Sequence, residues 1–84
     1  MFHKIKDLHA LDDFVLDVTF DDGKRTHYDI KSLIVEYPMF AEMKDNESLF
    51  KKASVDVGGY GIVWNDDLDL SAEEVYANGT PITE

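Results

Sequence analysis

Four carboxylates, Asp66, Asp67, Asp69 and Glu73, crowd one short stretch of this chain. Hard divalent cations want several carboxylate oxygens on a short loop, so the first chemistry to test is metal binding. The calcium-loop spacing fails in both registers. Counted from Asn65, the sixth position is Leu70 where a glycine is needed and the twelfth is Tyr76 where a bidentate Glu is needed; counted from Asp67, the two are Ala72 and Asn78. Acids beside a helix start also have an ordinary task, complementing amide dipoles at roughly 0.3 to 1 kcal/mol each, and that reading takes precedence. The glycine run Gly58-Gly59-Tyr60-Gly61 lacks the GxGxxG spacing of a dinucleotide site and is followed by a strand pattern, so it is a turn. His3, His9 and His27 have no helical ligand spacing, and no serine sits in a nucleophile motif. The chain has no cysteine, which removes thiolate chemistry and zinc ribbons. Nothing here argues for an enzyme, and no cofactor or metal site is expected.

The elements that must position these residues are legible in part. Residues 2 to 11 form an irregular first strand. Over residues 14 to 20, Phe14, Leu16, Val18 and Phe20 share one face and Asp17 and Thr19 the other, the alternation of a half-buried strand. Residues 24 to 30 repeat it, with Thr26, Tyr28 and Ile30 inward. A two-residue turn between them would mix core and solvent faces. A three-residue loop, Asp21-Asp22-Gly23 with Gly23 left-handed, instead pairs Leu16 with Tyr28 and Asp17 with His27.

Residues 30 to 53 predict two or three short helical turns crossing one sheet face, interrupted at Pro38 and capped by Asp45-Asn46. A second hairpin joins residues 54 to 57 to residues 62 to 64 through a tight Gly59-Tyr60 turn, setting Val55 opposite Trp64 and making Trp64 a core anchor. Ser71-Ala72-Glu73-Glu74 is a capping box that starts a helix ended by Asn78-Gly79. The expected architecture is therefore α+β: a small, mostly antiparallel sheet of two hairpins, about four or five strands, with short helices on one face and a capped C-terminal helix. Residues 1 to 79 are expected to form one domain and residues 80 to 84 a loose tail.

At 84 residues the chain makes one thin core. A net charge of −10 repels phosphate backbones, so nucleic acid is not an expected direct partner, whereas a basic protein is. No apolar run reaches membrane-spanning length, the start of the chain lacks the apolar region of a signal peptide, and the absence of cysteine suits a reducing compartment; a soluble, cytoplasmic, unprocessed protein is expected.

A strand ending in Phe20-Asp21-Asp22-Gly23 is followed by Tyr28-Asp29-Ile30, by Leu49-Phe50, and by Trp64-Asn65-Asp66-Asp67-Leu68-Asp69-Leu70 running into a helix that carries Tyr76. This order of motifs resembles bacterial domain-of-unknown-function family twenty-four forty-two. Many members have Trp-Pro and a glycine where this chain has Asn65 and Asp67, so it is closer to the subgroup with Trp-Asn-Asp. The resemblance implies a small α+β fold with no established activity. It also implies an antitoxin-like or adaptor role, because members often occur in gene pairs with another small protein and some are fused to helix-turn-helix modules, for which this chain has no room.

Together these readings predict a non-enzymatic protein-binding domain for a small partner, basic and encoded nearby. The candidate interaction residues are Tyr60 at a turn tip, the exposed carboxylates Asp66 and Asp67, and Tyr37, Met39 and Phe40, since Tyr, Met and Phe are enriched in interface cores. Two alternatives remain open: a metal-binding protein or metal-assisted hydrolase using the acidic loop from Asp66 to Asp69 with Glu73, and a homodimer joined through a sheet edge.

Overall fold

Strict alternation in the second strand sets the first layer of the molecule. In this computed structural model, which describes residues 2–83, β2 (Val15–Phe20) buries Leu16, Val18 and Phe20 on one face. It lies between β1 (Ile5–Ala10) and β3 (Arg25–Asp29), both antiparallel to it. Leu16 pairs with Tyr28, Asp17 with His27 and Thr19 with Arg25, the register expected from the sequence. The three-residue loop is as expected too: Phe20 and Lys24 face each other across it and Gly23 has φ 94°, a left-handed conformation in which a side chain would strain the backbone. Met1 and Glu84, the outer ends of the expected domain and tail, lie outside the described residues.

Three short helical pieces cross from this sheet to the next: α1 (Lys31–Glu36), a 3-10 segment (Pro38–Met43) and α2 (Glu47–Phe50). Helix α1 cannot run on, because the residue before a proline is pushed toward extended backbone; Tyr37 is extended at φ −114° and ψ 117°. Asn46 caps α2 by accepting the Leu49 amide at 3.2 Å.

A second, three-stranded sheet follows, in the order β4 (Ser54–Val55), β5 (Gly61–Asn65), β6 (Leu68–Ser71). Its first hairpin departs from the expected register. Val55 faces Ile62 instead of Trp64, two residues along, because the loop is wider than a Gly59-Tyr60 turn: the Asp56 carboxylate accepts the amides of Gly59 (2.7 Å) and Tyr60 (3.1 Å) and closes a four-residue loop, residues 57–60. A shift of two keeps every side chain on its face, so Trp64 remains buried, but Val57 is pushed fully into solvent. Strand β6 was not anticipated. It pairs with β5 through a turn at Asp66-Asp67 that Asn65 holds by accepting the amides of Asp67 and Leu68.

Helix α3 (Ala72–Asn78) starts where expected and buries Ala72 and Val75. The capping box does not form. Ser71 accepts the amide of Glu73 at 3.1 Å, and the Glu74 carboxylate turns away to take the Tyr28 hydroxyl at 2.9 Å. A buried phenol needs a partner, and a charge-assisted bond to it is stronger than a return to an exposed amide. After Gly79 the chain does not come loose at once: β7 (Thr80–Pro81) pairs with β3, and the Ile82 amide donates to the Arg25 carbonyl at 2.8 Å. The first sheet thus has the order β1-β2-β3-β7. The architecture is α+β, and its core closes between the sheets around Phe20, Phe50, Ile62, Trp64 and Val75. No helix among the described residues is long and apolar enough to cross a membrane.

Candidate functional site

The segment that Pro38 forces out of helix α1 places Tyr37 and Met39 at the surface, 49% and 51% exposed, beside the outer edge of β6. Between them lies a hollow of about 310 Å³ whose floor includes Leu33, Phe40 and Leu70 and whose rim carries Asp69 and Glu74. A second hollow of about 350 Å³ shares Leu33, Tyr37 and Glu74 with the first and continues toward β7, adding Asp29 and Glu36. The two form one groove between α1, β6 and α3. Its described lining holds four carboxylates and one imidazole, that of His27, and no Lys or Arg. The surface joins apolar contact area to a negative field, a combination suited to a protein with apolar and basic side chains.

Glu74 is fixed at the centre of this groove by the Tyr28 hydroxyl and by Asn78 Nδ2, both at 2.9 Å. Burial, and then the bond to Glu74, pushes the Tyr28 phenol well above the ordinary value of 10.0, so it stays a neutral donor at physiological pH.

The outer face of the four-stranded sheet carries the second polar group. Asp17 pairs with His9 on β1 and His27 on β3, and Arg25 grips its carboxylate with Nε at 2.8 Å and Nη2 at 3.0 Å. His27 Nε2 lies 3.5 Å from the same carboxylate. The hydrogen bond from Arg25 holds the Asp17 carboxyl below its ordinary value; burial opposes this, and the charges of Arg25, His27 and His9 reinforce it. A carboxylate clamped in this way is a weak base, and the depression of about 490 Å³ above it is shallow and polar. The arrangement ties β2 to β3 on the outer face of the sheet.

The family described as "Protein of unknown function (DUF2442)" matches residues 5–81. The chain belongs to this family. Membership agrees with the resemblance carried by Trp64-Asn65-Asp66 and Tyr28-Asp29-Ile30. No curated protein and no solved structure gives a significant match.

The expected site residues of this DUF2442 domain separate in space. Tyr37 and Met39 flank the groove. Phe40, expected beside them, is only 4% exposed and packs edge-on against Trp64 at 5.9 Å; the 3-10 turn points it inward, so it supports the surface from below. Tyr60 is half-exposed on the loop after β4, where the Phe2 ring meets it at 6.2 Å. Asp66 and Asp67 sit exposed at the β5–β6 turn. The acidic set does not converge. Asp69 lines the groove, while Glu73 accepts the His3 amide and meets His3 Nδ1 at 2.9 Å. No group of three or more potential metal ligands occurs among the described residues. Sequence reasoning missed Leu33, Asp69 and Glu74 as groove residues. The signal for Asp69 was present: Leu68 and Leu70 alternate with it, the mark of a strand.

Proposed function

We propose that the chain is a non-catalytic binding subunit that holds a small basic partner protein, in the manner of an antitoxin or adaptor. The observation that carries this reading is the groove in which Tyr37 and Met39 stand half-exposed over a lining with four carboxylates and no Lys or Arg. Large apolar side chains left in water at such a rim favour association, and the excess negative charge of the chain steers a cationic partner toward it.

Co-expression with the product of the adjacent reading frame tests the proposal. Under native conditions a basic protein co-purifies in stoichiometric amount with the wild-type chain and is lost when Met39→Glu is introduced. Absence of a stoichiometric partner, or a partner indifferent to Met39→Glu, overturns the proposal.

A further inference from the structure

The outer edge of β6 borders the groove, and no other strand among the described residues pairs with it. Sheet order places β6 last, and hydrogen-bond parity shows which of its groups face outward. Ala72 donates to the Tyr60 carbonyl at 3.0 Å, so Tyr60, Ile62 and their partners Leu70 and Ala72 point their backbone groups between β5 and β6. The neighbouring pair Val63 and Asp69 points the other way. On the far side of β5 this is satisfied by β4, but on β6 it aims the N–H and C=O of Asp69, with the N–H of Ser71, away from the sheet and into the groove side. The other edge strands differ from it: β7 and β4 are two residues long, β7 carries Pro81, and the Ile5 amide at the start of β1 is taken by the Gly59 carbonyl.

An unpaired edge beside an apolar, acidic groove specifies its occupant. We propose that the partner is held by strand addition: an extended segment pairs with the Asp69 and Ser71 backbone on the free edge of β6, with alternating apolar and basic side chains. This rests on the groove being a protein-docking surface. The alternation follows from the pleat. A residue directly across from Asp69 shares its side of the sheet and meets its carboxylate, so it is basic. Its neighbours share the side of Leu70, where Tyr37 and Met39 stand, so they are apolar. Main-chain bonds supply the affinity in this mode and alternate side chains the specificity. A second copy of this chain is a poor occupant, because two bodies of charge −10 would bring acidic grooves together.

The test selects short random peptides for binding to the intact chain and titrates the winners against three variants. Asp69→Pro removes only the outward amide donor from the backbone and is tolerated on an edge strand; Asp69→Asn removes the charge alone; Met39→Glu spoils the apolar rim. The expected winners alternate apolar and basic residues, weaken with Asp69→Asn, lose about tenfold more with Asp69→Pro than with Asp69→Asn, corresponding to one backbone hydrogen bond, and lose binding with Met39→Glu. In the wild-type complex the Asp69 amide becomes protected from hydrogen exchange, a readout that does not depend on any variant folding. Winners that need Met39 but leave the Asp69 amide unprotected overturn strand addition and leave the docking groove standing. Winners indifferent to Met39→Glu overturn both. A dimer of the chain alone that Asp69→Pro dissociates overturns the basic partner in favour of self-pairing.

Discussion

The indole N–H of Trp64, on β5, donates to the backbone carbonyl of Phe50 at the end of α2 at 3.0 Å, joining the second sheet to the crossover helices through a buried hydrogen bond. The same ring packs edge-on against Phe40, so one side chain fills the core beneath the groove and positions the segment that carries Tyr37 and Met39. Trp64→Ala is expected to lower stability by about 3 to 5 kcal/mol through the cavity it leaves, and Trp64→Phe by about 1 to 3 kcal/mol because the Phe50 carbonyl loses its partner. Urea denaturation of the two variants measures this. A loss below about 1 kcal/mol for Trp64→Ala would place the indole outside the core.

The groove residues divide into a surface pair and a support. Met39→Glu and Tyr37→Ser are expected to change stability by no more than about 0.5 kcal/mol, since both side chains stand half in water. Phe40→Ala, in contrast, is expected to cost about 3 to 5 kcal/mol. Thermal melts combined with partner capture separate the two behaviours: the first pair keeps the fold and loses the partner. Equal destabilisation by all three would show that Tyr37 and Met39 belong to the core.

Asp17 makes the protein sensitive to acid. Its folded carboxyl titrates below the ordinary value of 3.8 because Arg25 hydrogen-bonds the charged form. A depressed folded value means that this stabilisation is fully present above about 3.8, the unfolded value, and is lost as pH falls through the lower folded value. Urea midpoints followed from neutral pH into acid are expected to drop for the wild type, with a shallower drop below 3.8 for Asp17→Asn. Identical slopes would remove Asp17 from the account. At neutral pH Arg25→Leu is expected to cost more than Asp17→Asn, because it strands a charged carboxylate that is nearly buried.

At alkaline pH the same linkage runs through Tyr28. Its folded value is raised above 10.0, first by burial and then by Glu74, so its contribution is complete below 10.0 and fades as pH rises through the folded value. Near-ultraviolet titration of the phenols is expected to show Tyr28 ionising late, and Glu74→Gln to bring it earlier. Tyr28→Phe is expected to cost about 0.5 to 1.5 kcal/mol at neutral pH. If Glu74→Gln leaves the titration unchanged, the contact is absent in solution.

Two glycines are needed for different reasons. A Cβ at Gly79 would stand 2.6 Å from the Val75 carbonyl and 2.8 Å from Thr26 Cβ, where β3 meets the end of α3, and Gly79→Ala is expected to cost about 1 to 3 kcal/mol by forcing the helix off the sheet. Gly23 has open space around it but a φ of 94°, so Gly23→Ala is expected to cost about 1 kcal/mol through the backbone alone. Gly23→Asn, which tolerates the left-handed region, recovers part of the second loss and serves as the control.

Local pattern carried the first half of the chain. The polar–apolar alternation of residues 14 to 20 and 24 to 30, together with the type of turn that Asp21-Asp22-Gly23 supports, left one register that kept both apolar faces on the same side, and the structure has it. Asn46 and Pro38 likewise act over a few residues and were legible. In the second half the deciding partners are remote in sequence. Asp56 reached across its own loop to two amides and moved the β4–β5 register by two, a choice that equal alternation on either register could not reveal. Leu68 and Leu70 were visible as an alternating pair, but their helix-capping successor obscured them as a strand, and only pairing with β5 shows that β6 exists.

Composition and alternation by themselves determined a small α+β domain, its acidic surface, the first hairpin and the burial of Trp64, because these depend on which residues are apolar and how they are spaced. The tertiary structure alone decided that Glu74 serves Tyr28 across 46 residues of sequence, that Phe40 goes inward while Tyr37 and Met39 stay out, and that β6 ends its sheet with the Asp69 amide facing the groove. Those outcomes depend on which distant groups meet in a thin core, where a buried phenol or an unmatched backbone amide takes the partner that the packing brings within reach.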